Sequence, residues 1–220
     1  MDIIRIKKLT HAYFFDILSE NGYRTINVGV QGMKDLDIVE VLRHSRHDWL
    51  NRLQLIKGNL DLNKIDRAKE IIDEIVIDTQ QESKLSNLQM PMFASLLLKS
   101  NWDNHHFQLE FEVLSDTDSK KTDDHLLTNW TKSLFLSLNK AIEVFGENHL
   151  SITIDPQMDG ARFFFDFSGI IIKSELIEQF LSQPQESELV LEVKEFSKNE
   201  LAFEVFMPFL KKDKDCDSHR

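Results

Sequence analysis

The stretch HSRHDWLNRLQLIKGNL, residues 44–60, decides the fold. Read at about 100° per residue it is one amphipathic helix. It extends back to Asp35 or Asp37, either of which suits an N-cap. Ile38, Leu42, Ser45, Trp49, Leu53, Ile56 and Leu60 fall on one stripe, and His47 points almost diametrically away from it. An imidazole on the wet side of such a helix is not needed for packing and is free to meet another molecule.

Working outward, a second helix is expected from Asn63 to Leu85, with Ile65, Ala68, Ile71, Ile72, Ile75 and Val76 as its apolar positions. Two helices joined by about four residues are antiparallel neighbours. Leu50, Leu55 and Ile71 widen the two stripes beyond what one hairpin buries. A second copy of the chain resolves this, giving a four-helix bundle across a two-fold axis.

Pro91 opens a different texture. A helix over 91–104 precedes the alternating strand HFQLEFEVL, 106–114. After the polar loop 115–124 comes a long apolar helix over 125–145, then strands at 149–154 and 161–167, a helix over 173–182, and strands at 188–194 and 200–206. That order describes an α+β sandwich, with helices on one face of a mixed sheet. The expected organisation is an extension over 1–34, a hairpin for dimerisation over 35–89, the sandwich over 90–209, and a charged, disordered tail over 210–220. Met33 is a plausible alternative start.

With a net charge of −11, the chain lacks the basic footprint of a nucleic-acid binder. The single Cys216 excludes a disulfide framework and a thiolate metal cluster, and suits a reducing cytoplasm. There is no run of 18 apolar residues for a membrane span and no small-residue cleavage site for a signal peptide.

The chemistry gathers around His47. Either ring nitrogen of a histidine can act as a nucleophile, and a large neutral fraction is available near pH 7. A phosphoryl group on an acyl-phosphate donor can move to that nitrogen if it is positioned and its charge is offset. Arg43 and Arg46 lie near enough on the helix to offset charge. Asn51 is placed to hydrogen-bond the imidazole or a partner loop, and Asp48 to orient a ring nitrogen or a metal held by the partner. His44, at i−4 from Asp48, suits a supporting hydrogen bond. Leu50 beside His47, ringed by Arg43 and Asn51 and continued by Gln54, reads as a docking patch. On periodicity alone the alternative, a solvated polar face with no chemistry, stays open. The pair His105–His106 beside Asp103 reads as turn and edge residues, and Trp49 as an anchor in the bundle. Walker, GxGxxG and CxxC motifs are absent.

HSRHDWLNRLQLIKGNL, followed by a second helix and by ESKLSNL at 82–88, resembles the sporulation initiation phosphotransferase B family of the Bacillus phosphorelay. In architecture the chain is similar to two-component histidine kinases. The likeness runs from about residue 36 to residue 207. It implies that His47, the second histidine of HSRHDW, is the phosphorylated residue. It also implies a homodimeric four-helix bundle carrying a sandwich shaped like a kinase ATPase domain. Phosphoryl would come from the aspartate of one response regulator and pass to that of a second, which controls sporulation. The chain would need no cofactor of its own, with Mg2+ held by the partner receiver domain.

The same likeness shows what is altered. The asparagine box of an active ATPase domain corresponds to LSLNKA, 136–141, where Leu136 and Lys140 replace its asparagines and Asn139 is out of register by one residue. The DxGxG motif corresponds to DFSGI, 166–170, in which Asp166 survives while Ser168 and Ile170 replace both glycines. Glycine is what permits the close backbone approach a nucleotide needs, so ATP binding is not expected. Two other readings stay open: an ATP-dependent kinase with a divergent ATPase domain, and a non-enzymatic dimeric adaptor that binds a receiver.

Overall fold

The computed structural model describes residues 38–115, 122–183 and 189–210, all within a compact unit spanning Leu36–Arg220. The N-terminal extension with its Asp35 or Asp37 cap, the middle of the 115–124 loop and the charged tail lie outside the described residues.

Helix α1 runs Ile38–Asp61 and α2 runs Ile65–Asn87. The turn between them is tighter than the expected Asn59–Asn63 turn. Asn63 adopts φ 55°, and the N–H groups of Asn63 and Lys64 donate to the Leu60 and Asn59 carbonyls at 2.9 and 2.8 Å. Asparagine tolerates this left-handed conformation, so the last carbonyls of α1 are capped without a glycine. Gly58 stays inside the helix with open space around its Cα. Arg52 Nη2 donates to Asp78 Oδ2 at 3.1 Å and pins the two helices together. Within the single chain α1 buries no residue, whereas α2 buries Ala68, Ile71 and Leu85.

Helix α3, Pro91–Ser100, starts with proline at its first turn, where the missing N–H costs nothing. Its next two N–H groups, of Met92 and Phe93, donate to the Asp124 carboxylate, both at 2.8 Å. The helix stops at Ser100, short of the expected 104. The Asn101 carboxamide exchanges two hydrogen bonds with the backbone of Leu109, at 2.8 and 2.9 Å. That clamp starts strand β1, Gln108–Val113. The outer edge of β1 is tied to α2, since Val113 N–H donates to Gln81 Oε1 at 2.7 Å and Lys84 Nζ donates to the Val113 carbonyl at 3.3 Å.

Helix α4, Asp124–Ala141, is N-capped by Asp123, which accepts from Leu126 N–H at 2.9 Å. It ends four residues before the expected 145. Ile142 turns extended and bridges Ile171, while the Ala141 carbonyl accepts from Ile172 and Lys173. The helical register cannot continue once that carbonyl is engaged.

Strands β2 (His149–Pro156), β3 (Gly160–Ser168), β4 (Val190–Phe196) and β5 (Glu200–Pro208) complete a sheet of order β1-β2-β3-β5-β4. Only the β1–β2 pair is parallel. Helix α5, Ser174–Leu181, lies between β3 and β4 in sequence. Alternation sends Ile152, Ile154, Phe163, Phe165, Phe167, Phe203 and Val205 to one buried face. There Phe165 stacks on Phe203 at 4.9 Å, with Trp130 of α4 against both, and Phe163 meets Phe93 of α3 edge-on. Full burial of each such ring is worth roughly 1.5–3 kcal/mol. The opposite face is polar, with Arg162 donating to Glu204 at 2.7 Å. The mixed helical and sandwich architecture is therefore the expected one.

Candidate functional site

His47 stands on the outer face of α1 with its side chain 58% exposed. Its Nδ1 has two neighbours from the same helix. Asp48 Oδ1 lies 3.4 Å away and Asn51 Nδ2 lies 3.1 Å away. These two ask for opposite states of the ring. The carboxylate accepts from a protonated Nδ1, whereas the amide nitrogen donates to a bare one. An Asn carboxamide satisfies either state by presenting its oxygen or its nitrogen.

The other carboxylate oxygen, Oδ2 of Asp48, accepts from Trp102 Nε1–H at 3.0 Å. Trp102 lies two residues past the end of α3. Its ring stacks on His44 at 5.3 Å and 16°. His44, expected to make a supporting hydrogen bond, is met by the Trp102 ring in this stacked contact. Trp102 is the site residue that sequence reading misses. No spacing rule links positions 54 residues apart, and a lone tryptophan after a helix carries no motif.

Arg43, Arg46, Leu50 and Gln54 are exposed on α1. Among the described residues, none of these four bonds to the imidazole. Asp48 and Trp102 also line a groove of about 670 Å³ between α1, α2 and α3, together with Trp49, Arg52, Glu82 and Leu98. Glu82 there has its carboxyl pKa pushed up, chiefly by burial, with Arg52 opposing.

Around LSLNKA and DFSGI the polar side chains bond to the chain itself. Asn139 Oδ1 accepts from His106 N–H at 2.9 Å, and Asn139 Nδ2 meets His105 Nδ1 at 2.7 Å. His105 stacks on Phe107 at 4.9 Å, and burial holds its pKa below the ordinary value. Asn148 donates to the carbonyls of His106 and Glu143 and accepts from Ile170 N–H at 3.0 Å. A Cβ on Gly169 would collide with the Asn148 carboxamide oxygen and with the Phe167 ring. The glycine left in DFSGI is thus required by packing. Among the described residues no cluster of three or more His, Cys, Asp or Glu is placed to hold a metal ion.

The site is thus an exposed, carboxylate-flanked histidine on a helical hairpin that is joined to an α+β sandwich. Residues 31–88 match the family described as the sensor-kinase SpoOB-type alpha-helical domain, and residues 89–208 match the C-terminal domain of sporulation initiation phospho-transferase B. The chain belongs to the sporulation initiation phosphotransferase B family. The Bacillus subtilis (strain 168) sporulation initiation phosphotransferase B is 42% identical over 135 residues, covering 60% of this chain and 70% of that protein. Among solved structures, Acinetobacter baumannii histidine kinase AdeS is 11% identical with a TM-score of 0.39, covering 75% of this chain and 98% of that one. Histidine kinase ThkA in complex with response regulator protein TrrA is 15% identical with a TM-score of 0.35, covering 78% of this chain and 61% of that one.

Proposed function

We propose that His47 is the phosphoacceptor of a relay between two receiver domains, presented twice on a homodimeric four-helix bundle. The observation that carries this reading is the asymmetry of the His47 ring. Nδ1 is engaged by Asp48 and Asn51, while the ring as a whole is more than half exposed. With Nδ1 protonated toward Asp48, Nε2 holds the lone pair. That nitrogen attacks the phosphorus of an aspartyl phosphate, the N–P bond forms, the acyl P–O bond breaks, and the donor aspartate leaves as a carboxylate. The ring is then cationic and Asp48 offsets its charge. Attack by a second aspartate reverses the step and restores neutral His47.

Arg43 and Arg46 offset phosphoryl charge, and His44, Leu50 and Gln54 belong to the docking surface. Mg2+ is held by the acidic pocket of the receiver. The chain contributes no cofactor and takes no ATP, a reading supported by Gly169 being accounted for by packing. Dimerisation is supported by apolar side chains that one chain leaves exposed: Ile38, Leu42, Trp49, Leu53 and Leu60 on α1, with Ile65, Ile72 and Val76 on α2. No described helix is long and apolar enough to cross a membrane, in keeping with work in the cytoplasm.

Substitution His47→Gln tests the reading. The variant should keep the fold and the dimer but accept no phosphoryl from a phosphorylated receiver, and undiminished acceptance contradicts the assignment.

A further inference from the structure

Asp48 serves two groups at once. Oδ1 faces His47 Nδ1 at 3.4 Å and Oδ2 accepts the indole N–H of Trp102 at 3.0 Å. Left to itself, a carboxylate half open to water samples several rotamers, and in most of them it leaves the imidazole. Trp102 is not free in that way. Its backbone N–H is bonded to the Lys99 carbonyl at 2.9 Å, the preceding Asn101 is clamped to Leu109 by two hydrogen bonds, and its ring is stacked on His44. A fixed donor bonded to an ionised acceptor is a charge-assisted hydrogen bond.

We propose that Trp102 is a positioning residue for the transfer. By donating Nε1–H to Asp48 Oδ2, it keeps Asp48 Oδ1 at His47 Nδ1 and favours the tautomer whose Nε2 carries the lone pair. This deepens the reading of His47 as phosphoacceptor and rests on it. It also gives the start of the sandwich a role in the chemistry of the hairpin. Without Trp102, Asp48 is free to leave Nδ1, and Asn51, 3.1 Å away, serves either tautomer.

Trp102→Phe keeps an aromatic ring against His44 and deletes only the donor. The test combines nitrogen NMR of the His47 ring, in full-length protein at a pH where the ring is neutral, with rates of transfer from a phosphorylated receiver. In the natural protein the Nδ1–H tautomer should dominate. In Trp102→Phe the population should shift toward Nε2–H, and transfer should slow roughly five- to tenfold, as for loss of one ordinary hydrogen bond. In an Asp48→Ala background, Trp102→Phe should cause no further slowing, because the two residues act in series. A dominant Nε2–H tautomer in the natural protein overturns the proposal even if the variant does not fold. So does an unchanged tautomer and rate in Trp102→Phe, or slowing that simply adds to that of Asp48→Ala. Mapping the label separates the two claims. Label away from His47 defeats the phosphoacceptor reading itself, whereas label on His47 with Trp102→Phe neutral defeats only the assignment of Trp102.

Discussion

The side chain of Asn139 closes on His105: its amide nitrogen lies 2.7 Å from His105 Nδ1 while its oxygen accepts from the next residue's backbone. The asparagine nearest in sequence to the metal-binding position of a kinase ATPase domain is thereby occupied with holding the segment before β1. Titration of the purified protein with ATP and Mg2+ in a calorimeter should give no binding heat, and incubation with labelled ATP should leave the chain unlabelled. Stoichiometric labelling from ATP would instead restore the divergent-kinase reading.

Gly169 supplies a second check on the same region. Substitution Gly169→Ala places a methyl group against the Asn148 amide and the Phe167 ring, whose nearest atom is 2.7 Å from the new Cβ. Asn148 holds three backbone groups and cannot retreat without releasing them. The variant should lose about 1–3 kcal/mol of stability, as expected of overpacking, measured by denaturant unfolding. Transfer through His47 should survive wherever the protein remains folded.

His105 makes stability depend on pH. Its folded pKa lies below 6.5, first because of burial, with Asp103 and the Asn139 bond opposing and His106 assisting. The unfolded chain therefore binds the proton more readily than the folded one. The stability that goes with neutral His105 is complete above about pH 6.5 and declines as pH falls through the lowered folded value. Unfolding midpoints recorded between pH 7.5 and 5 should drop more steeply for the natural protein than for His105→Phe. Equal slopes contradict this role.

Much of this was legible because both periodicities are clean. The stripe from Ile38 to Leu60 and the alternation of Phe163, Phe165 and Phe167 specify a helix and a half-buried strand directly. Helix ends were less legible, since α3 and α4 stop where Asn101 and Ile142 find long-range partners. The HSRHDWLN segment pointed to His47, Asp48 and Asn51, which the fold does bring together. Trp102 was invisible, because its contact to Asp48 exists only once the sandwich has packed against the hairpin.

The exposed stripe supports a prediction separate from the chemistry. Leu53 is 56% exposed in the single chain and lies on the face assigned to the bundle. Leu53→Glu should shift the protein from dimer to monomer in analytical ultracentrifugation, by placing a charge where a desolvated contact is needed. His47→Gln, off that stripe, should remain dimeric. A monomeric natural protein at micromolar concentration would remove the bundle from the account.

The most direct test of the central claim is to mix the protein with a receiver domain carrying a labelled aspartyl phosphate and map the acid-labile label by peptide analysis. The account predicts label on His47, attached through Nε2, and loss of that label to a second, unphosphorylated receiver. Label on any other residue, or regulator binding with no label transferred, would contradict it.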